Sequence, residues 1–156
     1  MTTKKIIQLD MDGVIVDLQR CIDDHIKDNP NLATEYADRF DCIPGIFENS
    51  KPIKDSIESI LKLHNSNKYD LYIATSAPWD NDDSPTHKKR WIENHFGTLF
   101  HKKMIITHCK HLLLGDYLID DRLVNGAAEF AGEHIHFGTP KYSDWNTILK
   151  YLLDEN

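Results

Sequence analysis

The chain has 156 residues, 40% of them hydrophobic and 28% charged, with a formal net charge of −7 and a pI near 5.6. That length supports one globular domain and not two independent cores, and no internal repeat or low-complexity tract interrupts it. The acidic balance argues against a protein that grips a nucleic-acid backbone, because neutralising phosphates takes a basic face. The main cationic run, Lys88, Lys89 and Arg90, is too small to supply one.

Cys21, Cys42 and Cys109 are odd in number, widely spaced and free of any CxxC pattern. The reading is reduced thiols in a cytoplasmic protein, with neither a disulfide framework nor a zinc knuckle. The basic start of the chain leads into an apolar run that stops at Asp10, too soon for a signal peptide or a membrane span.

In chain order, residues 5–9 read as a short buried strand that runs into the polar turn Asp10 to Gly13. Leu18, Cys21, Ile22, His25 and Ile26 recur at helical spacing, and Asn29-Pro30-Asn31 ends that helix. Residues 32–50 are irregular and comparatively aromatic, with Tyr36, Phe40 and Phe47 around the turn Pro44-Gly45, and predict a small insert. Pro52 suits the first turn of a helix whose apolar stripe is Ile53, Ile57, Ile60 and Leu61. A strand is predicted at 69–74. After the loop TSAPWDNDD, Ser84 caps and Pro85 starts a helix bearing Trp91, Ile92, His95 and Phe96, which Gly97 terminates. Further strands are predicted at 103–107, 117–119 and 133–137, and Trp145, Ile148, Leu149 and Leu152 mark a closing amphipathic helix.

Short apolar strands alternating with helices predict an α/β fold, a Rossmann-like, mostly parallel sheet with helices on both faces. The chain reads as a single domain over 1–156 with a small cap insert at about 31–50. Ligands bind such sheets beyond the carboxyl ends of the strands, where Asp10, Thr75 and Asp120 all fall.

QLDMDGVIVD carries the strongest chemical signal. Asp10 and Asp12 leave an apolar strand, and Gly13 permits a tight turn. A calcium-binding EF-hand loop would need another acid after Gly13 and a glutamate where Cys21 stands, so that alternative fails. Two acids at a strand end are ordinary by themselves, and so is the second pair, Asp120 and Asp121, after Tyr117-Leu118-Ile119. Together they pose an electrostatic problem, since two like charges about 4 Å apart repel by about 4 kcal/mol at an effective dielectric of about 20. A divalent cation relieves it, and oxygen-only ligands suit Mg²⁺.

Thr75 and Ser76 offer hydroxyls and amides to a phosphate, although such residues are also common turn formers, and no GxSxG elbow marks a nucleophilic serine. Lys110 precedes the second acidic pair, while its neighbours His108, Cys109 and His111 match no structural zinc spacing. Lys88 falls in the first turn of its predicted helix, where the macrodipole disfavours a cation, which points to some role beyond a solvated surface.

In this combination the sequence resembles the haloacid dehalogenase superfamily, through DMDGV, the TS after a strand, a lysine, and an acidic pair after another strand. Within it the chain is most similar to the 5′(3′)-deoxyribonucleotidases, through DMDGVIVD, TSAPW, HKKRWIENHFG, IITHCKHLLLGDYLIDDR and SDWNTILKYL, segments that span nearly the whole chain. The resemblance implies that Asp10 is the nucleophile and Asp12 the general acid/base. It implies Mg²⁺ held by Asp10, Asp120 and the backbone carbonyl of Asp12, with Asp121 supporting the metal from behind. Thr75 and Lys110 fall where the family binds phosphate, and Lys88 and Ser76 are further phosphate-side residues. The insert is shorter than the family's usual helical cap, keeping something like its closing segment in IPGIFENSKPI, and Ile46 and Phe47 are the expected substrate-pocket residues.

The implied reaction is phosphomonoester hydrolysis. Asp10 attacks phosphorus while Asp12, kept protonated by neighbouring negative charge, protonates the leaving oxygen and later activates the water that cleaves the aspartyl-phosphate. The expected substrate is a deoxyribonucleoside monophosphate, with no nucleic-acid polymer and no membrane among the partners and a homodimer left open. Two alternatives stand beside it: a phosphatase of another small metabolite such as a sugar phosphate, and a catalytically silent metal-binding module that keeps the fold.

Overall fold

The structure is a computed structural model that describes residues 3–154; Met1 and Thr2 of the basic start, and Glu155 and Asn156, lie outside the described residues. The strands are β1 (Lys5–Leu9), β2 (Tyr69–Thr75), β3 (Met104–Ile106), β4 (Tyr117–Asp120) and β5 (Glu133–His136). The helices are α1 (Leu18–Asp28), α2 (Leu32–Glu35), α3 (Ser56–Asn65), α4 (Ser84–Phe96) and α5 (Trp145–Asp154). The strands form one sheet in the order β3-β2-β1-β4-β5, with every neighbouring pair parallel.

Strands of a covered parallel sheet are apolar on both sides, and Ile7, Leu9, Leu71, Ile73, Leu118, Ile119 and Ile135 are all buried. Consecutive strand residues face opposite sides of the sheet. Ile119 accordingly joins the main core with Leu9, Trp91 and Trp145, whereas Leu118 packs in a separate cluster with Ala127 and Phe130. Those two partners belong to the turns that link β4 to β5, so the alternation of strand and helix lapses at this crossover.

From β1 the chain runs outward through β2 to β3, then returns to the other side of β1 for β4 and β5. The crevice beyond the carboxyl ends of β1 and β4 is therefore the topological switch point, where open α/β sheets bind ligands. Asp10 follows β1, Asp120 ends β4, and the Asp10 N–H donates to Ile119 O at 3.0 Å, which fixes the two ends side by side.

Pro52 does not start a helix. The Asp17 N–H donates to Lys51 O at 2.8 Å and the Ile53 N–H to Ile15 O at 2.7 Å, so this segment pairs with the end of the acidic turn. Helix α3 begins only at Ser56, after Asp55 in a left-handed conformation with φ 63°. Its buried apolar residues are Ile60 and Leu63, and Leu61, expected in the stripe, is 39% exposed. Helix α4 begins at Ser84, one residue before Pro85, which places Lys88 in the second turn and not the first. Gly97, with φ 59°, closes α4 by donating its N–H to Glu93 O at 2.9 Å.

Residues 32–50 fold as α2, a 3-10 turn at Phe40–Cys42 and further turns. Ile43, Ile46 and Phe47 bury themselves with Cys21 and Ile22 of α1, flanked by Leu32, Tyr36 and Phe40. The aromatic character of the insert thus builds a satellite core on α1, apart from the core of the sheet.

Candidate active site

Asp10 leaves β1 only 7% exposed, in the wall of a cavity of about 500 Å³. Lys110, in a 3-10 turn at Lys110–Leu112, is 2% exposed and brings its ammonium to 3.0 Å from Asp10 Oδ1 while also donating to Asp120 Oδ2. Asp120 Oδ1 in turn accepts the Arg122 N–H at 2.9 Å. A lysine this deep is retained only when paired, and here two carboxylates compensate it. Burial alone would lower the Lys110 pKa, but the charges of Asp10 and Asp120 outweigh it and the net shift is upward.

The turn after β1 is tight because the N–H groups of Val14, Ile15 and Val16 all converge on Met11 O, at 3.1, 2.8 and 2.9 Å. Gly13 sits in it with φ 76°, and a Cβ there would stand 2.1 Å from Asp121 Oδ2. Glycine is thus required twice, for the left-handed backbone and for the approach of the Asp121 carboxylate. His134 Nε2 lies 3.1 Å from Asp120 O and His136 Nε2 3.0 Å from Asp121 O. A carbonyl oxygen only accepts, so both imidazoles present Nε2–H and hold the peptides of the acidic pair from β5.

Asp12 has a cation as its direct neighbour. Lys88 Nζ donates to Asp12 Oδ2 at 2.5 Å, to Thr75 Oγ1 at 3.0 Å and to Ser76 O at 2.8 Å. An ammonium has three donors, and all are engaged. Lys88 is 0% exposed and lies behind the cavity wall, joining the acidic turn to the segment after β2. Thr75 is likewise fully buried, its hydroxyl shared with Lys88. Like-charge repulsion therefore does not by itself describe the surroundings of Asp12, as the sequence reading supposed.

Asp10, Asp12, Phe47, Ser76, Lys110 and Asp120 line one cavity. Ile46 does not: it is fully buried in the satellite core, and only its neighbour Phe47 reaches the cavity wall. Sequence reasoning missed Asn125, which lines the cavity, donates from Nδ2 to Ser76 Oγ at 3.4 Å and accepts the Lys110 N–H on its carbonyl at 2.8 Å. Its signal was the dipeptide Asn125-Gly126, a turn pair with φ 55° and 78°. Arg122, Asp38 and Asp41 also line the cavity and had no pattern to mark them.

The carboxylates fit a hard divalent cation. One oxygen from each of Asp10, Asp120 and Asp121 lies within 4.8 Å of the others, bringing Asp121 into the group beside the expected pair. Asp12 Oδ1 and Asp121 Oδ1 are buried with no hydrogen-bond partner among the described residues. Four acidic side chains, Asp10, Asp12, Asp120 and Asp121, outnumber the two ammonium groups beside them, Lys88 and Lys110, an imbalance that favours a bound cation. Burial pushes the Asp10 carboxyl up to about 7; Lys110 opposes the shift, and Asp120 and Asp12 add to it. Asp121 is raised as well, by burial first and by Asp120 second.

The chain is similar to known proteins over most of its length. Residues 24–150 match the family model described as 5′ nucleotidase, deoxy (pyrimidine), cytosolic type C protein. A protein of Vibrio phage KVP40 that carries the 5′(3′)-deoxyribonucleotidase name is 44% identical over 155 residues, covering 99% of this chain and 88% of its own. The human cytosolic-type 5′(3′)-deoxyribonucleotidase is 33% identical over 110 residues, 69% of this chain and 54% of its own. The Bacillus subtilis 5′(3′)-deoxyribonucleotidase is 26% identical across 96% of this chain and 94% of its own. A haloacid dehalogenase-like hydrolase from Streptococcus pneumoniae superimposes with a TM-score of 0.54 at 16% identity, over 97% of this chain and 92% of that one, which shows a shared fold. The chain thus belongs to the 5′ nucleotidase, deoxy (pyrimidine), cytosolic type C family, on a haloacid dehalogenase-like fold, and is a phosphoric monoester hydrolase.

Proposed function

We propose that this enzyme dephosphorylates deoxyribonucleoside monophosphates in a Mg²⁺-dependent reaction that passes through an aspartyl-phosphate on Asp10. The observation that carries the reading is the buried Asp10 carboxylate in the cavity wall, 3.0 Å from Lys110 and two residues from Asp12. The names of the family and of its relatives support a nucleotide over a sugar phosphate. A cytoplasmic setting is part of the same reading, and among the described residues no helix is long and apolar enough to cross a membrane.

Asp10 attacks phosphorus in line, and the ester oxygen departs with a proton from Asp12. Asp12, then a carboxylate, takes a proton from water as that water attacks the phosphoryl group on Asp10, which returns free Asp10 and phosphate. Lys110 supplies positive charge beside the attacking carboxylate, while Ser76 and the backbone after β2 orient the phosphoryl oxygens. Lys88 positions Asp12 and Thr75 and leaves phosphate contact to Lys110. Asp10, Asp120 and the Asp12 carbonyl would hold Mg²⁺, with Asp121 beside them; bound there, it supplies charge stabilisation to the phosphoryl oxygens.

A panel of 5′- and 3′-deoxynucleotides, ribonucleotides and sugar phosphates, assayed with Mg²⁺ and with chelator, tests the proposal. The highest kcat/KM should fall on a deoxynucleotide and vanish in chelator. Preference for a sugar phosphate, or full turnover in metal-free buffer, contradicts it.

A further inference from the structure

The ladder between β4 and β5 ends at Asp120, which is paired in register with His136 and whose carbonyl accepts the Phe137 N–H at 3.0 Å. Asp121 lies one residue beyond that end, and no backbone N–H of the described residues donates to its carbonyl. The His136 side chain supplies the missing donor, with Nε2 3.0 Å from Asp121 O. His134, two residues earlier and so on the same face of β5, sets its Nε2 3.1 Å from Asp120 O. The two imidazoles stack, with centroids 5.2 Å apart and planes 20° from parallel.

The side chain on the Asp121 peptide needs such support. Asp121 Oδ1 is buried with no hydrogen-bond partner among the described residues, and one oxygen of this carboxyl lies within 4.8 Å of an oxygen from each of Asp10 and Asp120. With no hydrogen bond of its own, Oδ1 takes its place from the backbone that carries it. Mg²⁺ tolerates little departure from octahedral geometry at about 2.0–2.1 Å, whereas Ca²⁺ accepts about six to eight oxygens at about 2.3–2.6 Å in flexible arrangements. Slack in one carboxylate therefore costs Mg²⁺ more than Ca²⁺.

We propose that His136 is a positioning residue for the cation site. By continuing the hydrogen bonding of the sheet one residue past β4, it holds Asp121 where a small octahedral ion can use it and so tunes the site toward Mg²⁺ over Ca²⁺. His134 supports the His136 ring and the peptide before Asp121. This inference rests on the reading that the site takes a divalent cation, and it adds what sets the choice of ion.

Calorimetric titration of the metal-free enzyme with Mg²⁺ and, separately, with Ca²⁺ reads the effect without any turnover. His136→Phe and His136→Leu both remove the donor, the first keeping an aromatic ring against His134 and the second not. Each should weaken Mg²⁺ binding by about 10–100-fold, the range for a lost partner behind a metal ligand, and lower the ratio of Mg²⁺ to Ca²⁺ affinity by about tenfold. His136→Gln, whose amide N–H can stand in for Nε2–H, should restore both. Misfolded protein lowers the number of sites per chain and leaves the dissociation constant unchanged, and if one donor-free variant fails to fold the other decides. Unchanged Mg²⁺ affinity in the donor-free variants, an equal loss for both ions, or a His136→Gln that matches His136→Leu overturns the proposal. A wild-type enzyme that binds no Mg²⁺ is a different outcome, which removes the Mg²⁺ reading and this inference with it.

Discussion

The acidic turn after β1 and the insert at residues 32–50 face the same cavity but are held in different ways. Three N–H groups converge on one carbonyl in the turn, the Trp145 indole donates to Val14 O at 2.7 Å, and Lys88 fixes Asp12 from behind. The insert rests on its own small core against α1, and its side-chain ties to the rest include Asn81 to Asp41 O and Trp91 to Ser50 O, the latter at 2.7 Å. Groups that make and break bonds need a placement held by packed surroundings, whereas a recognition surface tolerates change. The contrast teaches that the acidic turn is held by the packed frame of the sheet, whereas the insert rests on a core of its own and touches that frame through Phe47, whose ring centroid lies 4.6 Å from Lys88 Nζ.

Substitutions that strike the turn should separate the regions most sharply. Asp10→Asn should cost at least about 10⁴-fold in kcat, since an amide is a poor nucleophile, and Asp12→Asn about 10²–10⁴-fold, as expected of a lost proton donor. Phe40→Ala in the insert should move KM more than kcat, by about tenfold or less, in steady-state assays on a deoxynucleotide. A larger loss in kcat from Phe40→Ala would break the division.

Lys110→Ala should lower kcat/KM by about 10²–10³-fold through lost charge stabilisation. Lys89→Ala should leave it near wild type, because Lys89 is exposed and pairs with Glu93 on the surface of α4. Gly13→Ala tests whether the turn and Asp121 act as one unit. Its Cβ must displace the Asp121 carboxylate, so the variant should lose the rise in thermal midpoint that Mg²⁺ gives the wild type, while circular dichroism remains native. An undiminished Mg²⁺ shift would remove Asp121 from the cation site. Trp145→Phe should leave Val14 O unpaired in the core and destabilise the protein by about 1–3 kcal/mol in denaturant unfolding.

Much of this was legible in the sequence for physical reasons. The runs 5–9 and 69–74 are short and rich in apolar residues, as strands are, and each is followed at once by polar residues that belong at a sheet's carboxyl edge. What escaped depends on contacts between distant segments. Pro52 looked like a helix start because its pairing with Val16 is invisible to local pattern. Lys88 was expected on the phosphate side of the site, and only the fold brings Asp12 and Thr75 to its ammonium. Ile46 and Phe47 were expected together, yet adjacent residues in a turn point apart, so one fills the satellite core and the other reaches the cavity. The turns from residue 121 to 132 carry no periodicity, which hid Asn125 and the cover over Leu118.

The most direct test of the central claim is to find where the phosphate goes. Asp12→Asn enzyme should be mixed with Mg²⁺ and an activated aryl phosphate, whose leaving group needs little protonation, then quenched in acid and analysed by peptide mass spectrometry. The aspartyl-phosphate should form and hydrolyse slowly, so that added phosphate is found on Asp10 in this variant and on no residue of Asp10→Asn. Phosphate trapped on Thr75, Ser76 or a histidine would contradict the account, even if the chain still released phosphate from a nucleotide.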